Sequence, residues 1–98
     1  MYCCEPFGNL IENAGQKGIS IVLKSELDIT FFCLQSRGVN AADCDRAKRG
    51  ELKLAGINLA HQTGVQFCPF CGTKLSNWIA THKTEVQELI TRSKPFLL

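Results

Sequence analysis

The sequence predicts an α+β protein with a small antiparallel meander sheet of about four strands, a short N-terminal helix and a C-terminal helix. Three observations support this fold class. Apolar residues alternate in the first half, a Cys-x-x-Cys segment lies between two short extended stretches, and apolar residues recur at helical spacing after residue 75. A chain of 98 residues has no room for two independent cores, so residues 1–98 are predicted to form a single domain.

The first part of the chain contains one predicted helix and two predicted strands. Residues 6–14 carry apolar side chains at helical spacing, and Gly15 is placed to end that helix. Residues 19–24 alternate as a strand does. The residues on one face of this strand are Ile19, Ile21 and Leu23. A connection over 25–28 leads to residues 29–37, whose β-branched and aromatic side chains predict a second, longer strand.

The middle of the chain gives weaker signals. Residues 38–50 have no strong apolar stripe and predict only a short helical turn, with Asn40 as its cap and Gly50 at its end. Apolar residues return over 52–59, where a change of phase at 55–56 predicts a strand with a bulge.

The last third changes from strand to helix. Residues 62–64 predict a turn, and residues 65–67 predict a short strand that leads into a Cys-x-x-Cys segment. One helix is predicted from Leu75 onward, and Lys94-Pro95 ends it. The residues predicted to share its buried face are Leu75, Trp78, Ile79, His82, Val86, Leu89 and Ile90.

Composition narrows the function classes. A net charge of +2 is too small to predict a polyanionic partner, and no stretch approaches the about 20 continuous apolar residues of a membrane span. Residues 1–6 lack the basic and apolar regions of a signal peptide. We therefore expect a cytoplasmic protein that does not engage a membrane.

The chain contains six cysteines, which are Cys3, Cys4, Cys33, Cys44, Cys68 and Cys71. In a reducing cytoplasm, thiols stay reduced, and clustered cysteines more often bind metal or carry out redox chemistry than form disulfides. The expected compartment therefore favours a metal site over a disulfide framework.

The segment Cys68-Pro69-Phe70-Cys71-Gly72 has the residue types that a two-thiolate metal site needs. Both sulfurs must come within about 2.3 Å of one zinc ion, and a tight turn points them inward. Pro69 stiffens such a turn, and Gly72 occupies the position where a positive φ is commonly required. Backbone N–H groups in the turn offset the charge of the sulfurs. The segment predicts bound zinc, with iron as the alternative metal.

The segment from Phe67 to Leu75 resembles the C-terminal knuckle of zinc-ribbon and rubredoxin-type sites. With the Cys3-Cys4 pair, the layout is similar to small bacterial and phage proteins that have an early cysteine pair and a late Cys-Pro-x-Cys-Gly knuckle. This resemblance implies a structural metal site in a zinc-ribbon-like domain and no particular activity. The chain departs from a full zinc ribbon because adjacent Cys3-Cys4 replaces the first Cys-x-x-Cys.

Structural zinc takes four ligands, so two must join Cys68 and Cys71. Cys3 and Cys4 are the best candidates, because an N-terminal segment held beside the late cysteines closes the longest loop. The predicted metal ligands are therefore Cys3, Cys4, Cys68 and Cys71.

Other residues could replace one of the early cysteines. Cys33 lies in mid-strand, which favours a buried core thiol, and Cys44 lies between two aspartates, which favours a more exposed thiol. His61 favours a surface position, and His82 favours a core imidazole with its hydrogen bonds satisfied.

The pattern as a whole favours a non-enzymatic domain that acts as an interaction or adaptor module for a protein partner. One alternative is a nucleic-acid-binding zinc ribbon, although the basic run over 46–53 has no interleaved aromatic residues to stack on bases. The other is a thiol-disulfide oxidoreductase using Cys68 and Cys71, although only one predicted helix follows that dithiol.

Overall fold

The computed structural model describes residues 2–50 and 60–97, and these form four α-helices, three strands and a C-terminal 3₁₀ turn. In chain order the elements are α1 (Glu5–Glu12), β1 (Gly18–Glu26), β2 (Ile29–Arg37), α2 (Ala41–Lys48), β3 (Ala60–Val65), α3 (Leu75–Thr81), α4 (Lys83–Ser93) and the 3₁₀ turn Lys94–Phe96. The predicted α+β class and antiparallel sheet are confirmed.

A long β-hairpin forms most of the sheet. β1 pairs antiparallel with β2 along its whole length, so that Glu26 lies opposite Ile29. Leu27 and Asp28 alone form the turn, with φ values of 50° and 66°. Two successive residues with positive φ give the turn the handedness that suits the twist of the strands. The predicted connection over 25–28 is therefore too long by two residues.

β3 pairs antiparallel with β2, which gives the strand order β1-β2-β3. The prediction for this region is wrong, because residues 62–64 lie inside β3 and the strand ends at Val65. A polar, glycine-containing tripeptide suits a turn locally. The cross-strand hydrogen bond from Gln35 Nε2 to Gln62 Oε1, at 2.9 Å, supports the strand conformation instead.

The number of strands also differs from the prediction. The sequence predicts about four strands, and the described ranges 2–50 and 60–97 contain three. The predicted strand over 52–59 lies outside those ranges. The short helical turn predicted within 38–50 is present as α2, followed by Gly50 with a φ of 79°.

Three helices cover one face of the sheet, because α1 and α4 pack on β1 while α3 packs on β2. Ile21 and Leu23 point toward the helices, as the alternation predicts, and Phe32 lies opposite Leu23 in the register. Ile19, predicted on the same face, is exposed at the start of the strand. The buried core consists of Phe7, Ile11, Ile21, Leu23, Phe32, Cys68, Leu75, Trp78, Val86 and Leu89.

The C-terminal region forms two helices, whereas the sequence predicts one. His82 separates α3 from α4, with a φ of −125° and a ψ of 53°. Its Nδ1 lies 2.8 Å from the carbonyl oxygen of Trp78, and the Thr81 hydroxyl donates to the same oxygen at 3.2 Å. These side chains occupy the acceptor that the His82 backbone N–H would use in a continuous helix. The predicted buried face survives the break, because Val86 and Leu89 are buried beyond it.

The last residue of α4 and the chain after it dock on the sheet through polar contacts. Ser93 Oγ accepts a hydrogen bond from the Leu23 backbone N–H at 3.0 Å. The carbonyl oxygen of Phe96 accepts hydrogen bonds from Gln35 Nε2 at 2.7 Å and from the Arg37 guanidinium at 2.9 Å. The C-terminal segment is therefore fixed to both β1 and β2.

Candidate metal centre

Four cysteine sulfurs come together at one end of the core. The Sγ atoms of Cys3, Cys4, Cys68 and Cys71 all lie within 4.8 Å of one another. Cys68 is buried, Cys3 and Cys4 are half-buried, and Cys71 is exposed. The two pairs that the sequence singles out, separated by more than sixty residues, are therefore neighbours in the fold.

Aromatic side chains on both sides hold the early pair in place. Phe7 in the first half of α1 is fully buried, and its ring meets that of Phe32 edge-to-face at a centroid distance of 5.1 Å. On the other side of the pair, the ring centroid of Tyr2 lies 5.7 Å from that of Trp78. Because both flanking rings pack against the core, the cysteines between them are held close to it.

A tight turn over residues 68–72 presents the late pair. Phe67 and Lys74 form an antiparallel bridge, and inside it the Cys68 N–H donates to the Thr73 carbonyl oxygen at 2.9 Å. The Gly72 N–H donates back to the Cys68 carbonyl oxygen at 3.0 Å. Gly72 has a φ of 78°, so its missing side chain is what makes this turn unstrained.

The four thiols differ in their electrostatic surroundings. Hydrogen bonds from the Thr73 side chain and backbone lower the pKa of Cys71 from its ordinary value of 9.0 to about 6. The Thr73 hydroxyl lies 3.1 Å from the Cys71 sulfur. Burial raises the pKa of Cys3, and its hydrogen bonds to Cys71 and Cys68 raise it further. Without metal, these shifts favour the thiolate form of Cys71 and the protonated form of Cys3 at neutral pH.

Cys4 behaves like Cys3. Burial raises the pKa of its thiol, while a hydrogen bond from the Phe7 backbone N–H opposes that rise. Cys4 occupies the N-cap position of α1, where backbone N–H groups have no partner inside the helix. A thiolate at this position would be stabilised by those donors, as an anion at a helix N-terminus is.

The donor set and its spacing fit a tetrahedral metal ion. Sulfur ligands about 2.3 Å from zinc lie about 3.8 Å from one another in a tetrahedron. The sulfurs of Cys4 and Cys68 are 3.6 Å apart, close to that edge and far longer than the about 2.0 Å of a disulfide bond. Cys3, Cys4, Cys33, Cys68 and Cys71 are all free thiols. The four clustered residues fit a soft divalent cation such as zinc.

Among the described alternative ligands, Cys33, His61 and His82 lie outside the four-cysteine cluster. Cys33 is buried opposite Val22, on the other face of the sheet from Phe32, as predicted for a core thiol. His61 is exposed on β3, as predicted. The described side chains do not include that of Cys44, so its predicted exposure stays a prediction. His82 is half-buried and stacks on Trp78 at a centroid distance of 4.3 Å.

Two residues that shape this centre are not among the site residues predicted from the sequence. Thr73 supplies the hydrogen bonds that favour the Cys71 thiolate. Its position two residues after a Cys-x-x-Cys could have identified Thr73 from the sequence, because Thr hydroxyls commonly hydrogen-bond to neighbouring groups in turns. Tyr2 anchors the segment before the early cysteines, and only the tertiary contact with Trp78 reveals this.

Two further findings bear on function. Comparisons with protein-family models, with curated proteins and with solved structures find no match to this chain. Within residues 2–50 and 60–97, no helix has the length and apolar character needed to cross a membrane. The proposed function therefore rests on the geometry of the four cysteines.

Proposed function

We propose that Cys3, Cys4, Cys68 and Cys71 bind one structural zinc ion in a zinc-ribbon-like domain that acts as a non-enzymatic interaction module. The observation that carries this proposal is the convergence of four sulfurs within 4.8 Å from two distant segments of the chain. A bound zinc ion would supply a cross-link between the N-terminal segment and the 68–72 turn.

Four protein thiolates satisfy the whole coordination shell of zinc. A site of this kind stabilises a fold, whereas catalytic zinc keeps one position for water or substrate. This cross-link would stabilise the core directly, because Cys68 belongs to the core and Cys3 and Cys4 pack against the core. The ion would therefore hold α1 on the sheet.

Native mass spectrometry with metal analysis tests this proposal. We expect one zinc ion per chain, retained by the Cys33→Ala variant and lost from Cys68→Ser. Cys33 is the matched control because it is a buried cysteine outside the cluster. A protein purified without a transition metal, or an equal loss of zinc from both variants, contradicts the proposal. Iron in place of zinc would be recognised by its mass and colour.

One observation favours a second candidate, a thiol-disulfide oxidoreductase. Cys71 is exposed and its pKa is lowered to about 6, which are properties of reactive cysteines. Cys68, however, is buried, and α3 begins only at Leu75, so the dithiol does not open a helix. Turnover of a small disulfide by the metal-free protein, abolished in Cys71→Ser, would favour this candidate over the structural site.

A further inference from the structure

A groove lies at the hairpin end of the sheet. One wall is formed by residues 29–32 at the start of β2, and the other by Leu75, Ser76 and Ile79 of α3. Its volume is about 270 Å³, and most of the side chains that line it are apolar. A groove of this size accommodates one or two bulky side chains.

Most of the exposed apolar residues lie within a few sequence positions of the groove's lining. Among the described residues, five large hydrophobic side chains are exposed, and all but Ile19 lie in the hairpin turn, at the start of β2 or in the 67–70 segment. They are Leu27, Ile29, Phe67 and Phe70. Val65, Gln66 and Lys74 line the groove together with residues 29–32, so the start of β2 and the two sides of the 67–73 segment meet there. Exposed apolar surface beside a groove is typical of an interaction site.

The charge at the groove is positive. Lys74 is the only charged residue among the described residues that line it. In the part of the chain that the structure describes, no carboxylate lies within ion-pair distance of its ammonium group. A partner that covers this groove would therefore gain from placing a carboxylate near Lys74, since an apolar rim strengthens the attraction between them.

We propose that this groove docks a peptide segment of a partner protein, with a bulky apolar side chain in the groove and a neighbouring Asp, Glu or C-terminal carboxylate on Lys74. This inference rests on the proposed role as an interaction module and names the chemistry of its partner. Exposed Leu27 and Phe67 lie within two residues of Ile29 and Gln66 of the lining, so the apolar surface extends past the groove, which favours a polypeptide over a small apolar acid. The groove itself lies outside the four-cysteine cluster.

Selection from a phage-displayed library of random heptapeptides on the metal-loaded protein provides the first test. We expect enriched peptides to carry a Leu, Ile, Phe or Trp within two positions of an acidic residue. The same library selected on Lys74→Glu should lose the acidic preference. Enrichment that shows no acidic preference, or that is identical on both proteins, overturns the proposal, as does the absence of enriched sequences.

Affinities of an enriched peptide provide the second test. Ile29→Asp should weaken binding about tenfold or more, because it places a carboxylate in the apolar rim. Ile19→Asp and Lys17→Glu are matched controls at the opposite end of β1, and both should bind as the wild type does. Equal weakening by Ile29→Asp and Ile19→Asp would overturn the assignment to the groove.

Metal content, self-association and small acids separate the remaining outcomes. Zinc counted in each variant shows whether the centre is intact, so peptide binding by protein without metal refutes the zinc proposal and leaves the groove standing. Loss of peptide binding with zinc retained refutes the groove alone.

Self-association that Ile29→Asp abolishes would assign the groove to a second copy of the chain. Displacement of the peptide by micromolar decanoate would assign it to a small amphipathic acid. Both results overturn the peptide proposal.

Discussion

The two ends of the chain are fastened to the same sheet by different chemistry. At the N-terminal end, Cys3 and Cys4 meet Cys68 and Cys71, and the contact is made by their sulfurs. At the C-terminal end, the carbonyl oxygen of Phe96 accepts two hydrogen bonds from side chains of β2. We call these contacts the sulfur tie and the hydrogen-bond tie.

This difference separates a conditional attachment from a permanent one. The hydrogen-bond tie is complete as soon as the chain folds, because Gln35 and Arg37 supply donors that are themselves linked at 2.9 Å. The sulfur tie leaves four adjacent thiols whose mutual hydrogen bonds are weak. It becomes strong only when a metal replaces their protons. We therefore expect metal removal and acid to weaken the sulfur tie, whereas substitutions are needed to weaken the hydrogen-bond tie.

Removal of the metal should have the largest effect. Zinc binding contributes about 10–16 kcal/mol in small zinc domains, which matches or exceeds the about 5–15 kcal/mol stability of a typical domain. We expect a zinc chelator to unfold the protein, as measured by circular dichroism, and added zinc to refold it. An unchanged melting curve after chelation would refute the sulfur tie.

Acidification should release the sulfur tie and spare the hydrogen-bond tie. Metal binding needs thiolates, so protons compete with the metal for the sulfurs as the pH falls. In the metal-free protein, the pKa of Cys71 lies below its ordinary value of 9.0, so its thiolate contributes stability above pH 9 that is lost progressively down to about pH 6. Burial raises the pKa of Cys3 and so adds to the competition from protons.

Zinc release monitored by a colorimetric indicator between pH 8 and pH 5 measures this effect. In the metal-free protein, alkylation of Cys71 by iodoacetamide should be half-maximal near pH 6, and Thr73→Val should move that midpoint upward. The same midpoint in both proteins would show that Thr73 does not hold the thiolate.

Among substitutions that weaken the docking of the C-terminal end, Gly15→Ala should have the largest effect on stability. Gly15 has a φ of 83°, and a Cβ there would lie 2.5 Å from the ring of Phe96. Left-handed backbone costs alanine about 1–2 kcal/mol, and overpacking adds about 1–3 kcal/mol. Urea unfolding should show both losses in this variant.

Gly50→Ala is the matched control for that variant. Gly50 has a nearly equal φ of 79° with open space where a Cβ would lie, so only the backbone cost of about 1–2 kcal/mol should appear. Equal losses of stability in the two variants would mean that Phe96 does not pack on Gly15.

Ser93→Ala should have a smaller effect. The substitution leaves the Leu23 N–H without its buried partner and should cost about 1–3 kcal/mol of unfolding free energy. Thr91→Ala, whose hydroxyl makes an exposed bond to the Gln87 carbonyl oxygen, should cost less than about 0.5 kcal/mol. A cost for Ser93→Ala as small as that for Thr91→Ala would mean that the Ser93 hydrogen bond does not help to hold α4 on β1.

The smallest effect should come from the ion pair that joins α1 to α4. Arg92 and Glu12 lie 3.2 Å apart, and both side chains are more than half exposed. Exposed pairs contribute about 0.2–1 kcal/mol, so Glu12→Gln should lower the melting temperature by only a few degrees. A larger fall would mean that this pair, and not the sulfur tie, holds α1 in place.

The sequence predicted much of the local structure and the four clustered cysteines. The hairpin strands, α1 and the buried face after Leu75 follow from spacing that side chains impose on their own element. The prediction failed at residues 62–64 and at His82. At both places, side-chain hydrogen bonds override the local pattern, as between Gln35 and Gln62.

Spacing within a few positions is enough to predict most of the helices and strands and to identify Cys68 and Cys71 as a pair of metal ligands. The meeting of Cys3 and Cys4 with Cys68 and Cys71, and the docking of the end of the chain on β2, arise from the tertiary structure. Contacts across more than sixty residues depend on how the whole core packs, and no local spacing encodes that packing.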